Sequence, residues 1–137
     1  MHSTEILFPM FALVGLTFSV LLLIPIVRLR AGFAGKVTPG DFALGESERV
    51  PEKTRLPNRN YMNLLEMPVL FYAACITLYV TNTADHAAAV IAWVYVGLRF
   101  LHSVIHLSYN HVFHRLGVFA TSNLVLAGLW LKLFFAL

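Results

Sequence analysis

Charge is scarce in this chain. Seven acidic and ten basic side chains are spread over 137 residues, and charged residues make up 12% of the sequence, where a soluble domain carries about a quarter. With 58% hydrophobic residues and a mean hydropathy of +0.73, the composition is that of a membrane protein. Cysteine is scarcer still. Cys75 stands alone in an apolar run, which excludes an internal disulfide and leaves the thiol as a small packing group. There is no internal repeat and no low-complexity run. The net charge of +3 does not point to nucleic acid, because most of the basic residues fall in one connecting segment and read as a topology signal.

What is abundant is long apolar sequence. A spanning helix needs about 20 mostly apolar residues. Four stretches meet this, at about 6–27, 61–80, 86–109 and 116–135, and together they predict an all-α integral membrane four-helix bundle in one domain, 1–137. The first stretch lacks a positive segment before it and a small-residue cleavage site, while Arg28 and Arg30 follow it. That pattern predicts an uncleaved anchor with its N-terminus outside. The connection at about 28–60 carries Arg28, Arg30, Lys36, Arg49, Lys53, Arg55 and Arg59, the 81–85 connection has no lysine or arginine, and the third has Arg115. Positive-inside logic places loops one and three in the cytoplasm and both termini on the opposite side. A first loop of this length is expected to be functional or mobile.

Against this background the ionisable residues inside the spans stand out, because they are costly in a bilayer and normally face the protein interior. Arg59, Asn63 and Glu66 lie four and three residues apart, on one helical stripe. Arg99, His102 and His106 form a second such stripe, and Pro68 is expected to kink the second helix. A Glu66–Arg99 or Glu66–His102 pair would offset the cost of burying each charge. Two structural readings stand beside any functional one. Asn63-x-x-Glu66 also fits a capping box opening helix two, and the second stripe could be interhelical glue. Trp93, Tyr95 and Trp130 read as packing groups or interface anchors. His102-x-x-x-His106 sets two imidazoles at a spacing suited to a metal, with His111, His114 and Glu66 as possible further ligands. Only one such histidine box is present, and no metal site is assigned.

The order of these features resembles the MAPEG family, the membrane-associated proteins in eicosanoid and glutathione metabolism, of which this would be a divergent member. The resemblance rests on Val27-Arg28-Leu29-Arg30 followed by Phe33-Ala34, on Arg59, Asn63 and Glu66 followed closely by Pro68, on Arg99-x-x-His102, and on Arg115 at the start of helix four. It implies a homotrimeric four-helix bundle that binds glutathione as co-substrate between subunits, near the cytoplasmic side. By the same match Asn63 and Glu66 would bind the tripeptide. Arg28, Arg59 and Arg99 would hold its carboxylates or order the site, with His102 and His106 beside it. Arg115 would activate the sulfur as the catalytic residue. The chain departs from the prostaglandin synthase branch at Met62, His106, Leu116 and Phe119, where that branch has arginine, tyrosine, serine and tyrosine. The expected activity is a glutathione-dependent transferase or peroxidase acting on hydrophobic electrophiles dissolved in the membrane. The alternatives are a non-enzymatic scaffold or lipid-binding subunit of the same fold, and a histidine-ligated metal enzyme.

Overall fold

The computed structural model describes residues 3–137. Five helices follow one another: α1 (Leu7–Phe33), α2 (Glu52–Leu65), α3 (Pro68–Val80), α4 (His86–Leu107) and α5 (Val112–Ala136). With α2 and α3 taken as one broken rod, four helical segments are long and apolar enough to cross a membrane. Each contributes one buried stripe. On α1 it is Pro9, Leu13, Val20, Ile24 and Ala31. On α5 it is Ser122, Leu126, Leu129 and Leu133. The steps are fours and sevens on α1, and fours and threes on α5, the near-3.5 repeat that suits side-by-side helix packing. On α4 the same stripe runs Ala88, Ala92, Tyr95, Arg99, His102 and His106, so the polar residues of α4 continue its packing seam. Phe71 of α3 stacks on Tyr95 at a centroid distance of 4.7 Å and anchors the apolar core at this level.

The turns are set by local chemistry. Asp85 caps α4 by accepting a hydrogen bond from the Ala88 N–H at 2.8 Å and pairs with Lys132 of α5 at 2.8 Å. The Lys132 ammonium and that N–H hold its carboxyl below the usual range. Beyond α4, Asn110 turns the chain at φ 48°, a left-handed position that asparagine tolerates well.

The first connection is shorter and better ordered than hydropathy indicates. Helix α1 continues through Arg28 and Arg30 to Phe33 and stops before Gly35, at φ 72°. Helix α2 starts directly after Pro51, so the helix that hydropathy starts near 61 begins at Glu52. Its first half is polar, and a hydropathy window cannot see a helix that leaves the apolar layer. The 34–51 segment between them packs on the end of α1 through a small core of Ala31, Val37 and Val50, with Phe42 against it. Asp41 ties it together. Its carboxylate accepts from the Thr38 N–H and from the Ser47 hydroxyl, each at 2.8 Å. Those two bonds, led by the Thr38 N–H, hold the Asp41 carboxyl below its ordinary range. Arg55 closes the segment by donating to the carbonyls of Val50, Ser47 and Glu48.

Pro68 does more than kink the second rod. The chain breaks at Glu66, with φ −87° and ψ −99°, and restarts with Pro68 in the first turn of α3. A capping box at Asn63 and Glu66 is therefore ruled out: Asn63 lies in the last turn of α2, and Glu66 follows its end.

Candidate functional site

The break above Pro68 builds one side of a cavity. The last four carbonyls of a helix lack intrahelical donors, and the Asn63 carbonyl is among them. It lies 3.4 Å from the Arg99 guanidinium, which also donates to the Asn63 side-chain oxygen Oδ1. Arg99 is wholly buried. Its charge is met by a helix C-terminus, an amide oxygen and the face of Phe119, 5.8 Å away. The expected Glu66–Arg99 and Glu66–His102 pairs do not form. Glu66 is exposed, and the ion pairs among the described residues are Arg28–Glu46 and Lys132–Asp85. The cause is the break itself, which takes residue 66 out of the helical register that would have carried it to the Arg59–Asn63 stripe. Nε and Nη1 of Arg99 stay buried without a partner among the described residues.

In front of Arg99 lies a cavity of about 360 Å³, lined by Arg59 and Asn63 of α2, His102 and His106 of α4, and Val112, Arg115, Leu116 and Phe119 of α5. One wall is cationic and polar, the other apolar. The rings of His102 and His106 meet edge to face at 5.8 Å, and the Nδ1 of each is buried with no partner. Arg115 is tethered by a 2.8 Å hydrogen bond from Nη1 to Asn110 Oδ1, so the left-handed turn at Asn110 sets where this guanidinium stands. Asn63 spends Oδ1 on Arg99, which leaves its amide N–H groups for the cavity.

Five of the eight residues singled out by sequence thus meet in one cavity: Arg59, Asn63, His102, His106 and Arg115. Arg99 backs it. Arg28 is elsewhere. It lies 4.5 Å over the Phe42 ring and 3.9 Å from Glu46, on the edge of a second, largely apolar cavity of about 680 Å³ between the end of α1 and the 34–51 segment. Sequence reasoning missed Asn60 and Ser103, a buried pair joined at 3.3 Å that ties α2 to α4. The signal was there: Asn60 is one helical turn before Asn63, and Ser103 adjoins His102.

Metal ligation gains no support from this arrangement. Among the described residues no three histidine, cysteine or acidic side chains converge as a ligand set. His111 and His114 pair with each other at a centroid distance of 4.2 Å, and His114 also meets the Tyr109 hydroxyl at 3.2 Å.

A family model described as the MAPEG family matches residues 6–135. The chain belongs to the MAPEG family. No curated protein and no solved structure matches it. Family membership agrees with the all-α bundle and its four membrane-length helices, and the MAPEG family is generally related to glutathione.

Proposed function

We propose that this MAPEG protein is an integral membrane glutathione-dependent transferase or peroxidase acting on hydrophobic electrophiles. The observation that carries this reading is the cavity, which gathers Arg59 and Arg115 in front of the buried Arg99 and holds no carboxylate of its own. Such a site needs an anionic ligand to balance it, and glutathione offers two carboxylates and an ionisable thiol. Arg59 and the free amide of Asn63 would hold the peptide, with His102 and His106 along its side. Arg115 would stand by the sulfur, where a nearby cation favours the thiolate. The thiolate then attacks an electrophilic carbon with loss of a leaving group, or the outer oxygen of a hydroperoxide. In the second case the O–O bond breaks, the alkoxide is protonated to an alcohol, and the glutathione sulfenic acid formed is reduced by a second glutathione to disulfide and water. Val112, Leu116 and Phe119 give the second substrate an apolar wall to slide along.

Arg28 and Glu66 do not line this cavity. They enter the reading through a homotrimer in which a neighbouring copy brings its Arg28 edge to the open side, with loops one and three on the cytoplasmic face. A second reading, a non-enzymatic scaffold or lipid-binding subunit, is favoured by Leu116 and Phe119, which give the cavity carbon where a hydroxyl could serve the sulfur.

Calorimetry with glutathione on detergent-solubilised protein separates the two. The enzyme reading expects saturable binding, thiolate absorbance, and conjugation of an aryl halide that falls about 100-fold or more in Arg115→Ala, the scale of losing one charge-stabilising donor. Absence of binding at millimolar glutathione leaves the scaffold.

A further inference from the structure

Two imidazoles line the cavity for which charge balance alone gives no task, His102 and His106, and His106 is the one nearer in its charge environment to Arg115. It is buried on α4, forms part of the cavity wall, and has Nδ1 sealed without a partner. Among the described residues no hydrogen bond engages Nε2 either, so that nitrogen is left to the cavity. The charges facing it are arginines alone, Arg115, Arg59 and Arg99. His102, one turn deeper, lies beside Arg99 and the Phe119 ring instead. An imidazole next to the guanidinium that faces the sulfur is placed to exchange a proton with it.

We propose that His106 is the proton carrier of the reaction, taking the thiol proton when glutathione binds and delivering it to the product. This rests on the reading of the cavity as a glutathione site. In the first half the S–H bond breaks and an N–H bond forms at Nε2, leaving a thiolate between imidazolium and Arg115. Three guanidinium groups oppose a further positive charge here, and only the ligand's carboxylates and thiolate offset them, so the transfer is coupled to binding. In the second half the sulfur–carbon bond forms at the β carbon of an unsaturated carbonyl compound. The displaced electron pair ends on the α carbon, which takes the proton from His106 and resets the ring. Hydroperoxide reduction uses the same proton on the departing alkoxide. Displacement of a halide does not, since halide leaves without a proton, and the imidazolium then gives its proton up to solvent. The site therefore favours electrophiles whose product must be protonated.

The test counts protons. Glutathione is mixed with wild-type protein in weak buffer containing an indicator dye, while thiolate absorbance is followed. Retention on His106 predicts thiolate formation with little proton release from wild type, and one proton released per thiolate from His106→Gln. It also predicts that His106→Gln loses at least ten times more turnover with an unsaturated ketone than with an aryl halide, a split that a general loss of folding does not produce. Full proton release from the wild type overturns the proposal, whether or not the variant folds. Equal losses on both electrophiles overturn it too. If calorimetry shows that the wild type binds no glutathione, the reading of the cavity falls with it, and the binding measurement distinguishes that failure from the others.

Discussion

At the scale of single residues, Asn63 bears the most. Its side chain and carbonyl together receive the Arg99 guanidinium, the one fully buried arginine charge, with no carboxylate in contact with it. Removing the acceptor leaves a buried cation short of hydrogen bonds, so Asn63→Leu is expected to cost about 2 kcal/mol or more, the range for bonds to charged groups. Asn63→Asp keeps an oxygen in place and supplies the missing opposite charge. Thermal unfolding in detergent should rank Asp at or above the wild type and Leu well below it. A Leu variant as stable as wild type would mean that Arg99 finds compensation elsewhere. Asp85 is a smaller case. Its cap on α4 is worth about 1 kcal/mol by analogy with other N-caps, while its exposed pair with Lys132 adds little, so Asp85→Ala should lose about that much and Lys132→Ala much less.

At the scale of elements, the 34–51 segment is a folded platform, and its pH response follows from Asp41. A carboxyl held low in the folded state contributes stability above its unfolded value and loses it as pH falls through the folded one. The order of this segment should therefore persist at neutral pH and decline only below about pH 4, the unperturbed value for aspartate. Hydrogen exchange of 34–51, corrected for the intrinsic pH dependence, should show this in the wild type, with fast exchange at all pH values in Asp41→Ala. How far the elements were legible beforehand depends on where they meet the apolar layer. The long runs at about 6–27 and in α3 to α5 declare themselves by hydropathy. The stripes Arg59–Asn63 and Arg99–His102–His106 declare themselves by spacing, and both reach the cavity. The first half of α2 was hidden because its polar sequence reads as loop. Glu66 was misplaced because a helical wheel assumes a helix, and Pro68 ends it. Asn110, whose turn positions Arg115, carries no signal beyond being an asparagine. Arg28 reads as a partner of the other arginines, yet within one chain it faces Phe42 and Glu46.

At the scale of the whole molecule, Arg28 stands apart from the cavity, near the end of α1. The outer face of α1 is apolar and uncovered, with Phe8, Phe11, Phe18 and Leu22 exposed, and either lipid or another copy must meet it. If a homotrimer closes the site, Arg115 of one subunit works with Arg28 of the next, and the two can be inactivated in different chains. Arg28→Ala and Arg115→Ala proteins should each be nearly inactive as pure trimers, since each defect is then present at every interface. Co-expressed in equal amounts, they assemble at random. An interface regains both arginines only when its Arg115 comes from the Arg28→Ala chain and its Arg28 from the Arg115→Ala chain, which happens at about a quarter of the interfaces in a cyclic assembly. Turnover recovered to about that fraction of wild type would establish a shared site. If both arginines served a site within one chain, every chain in the mixture would still lack one of them, and mixing would restore nothing. Crosslinking the mixed oligomers confirms that both chains are present, so that an absent recovery speaks about the site and not about assembly.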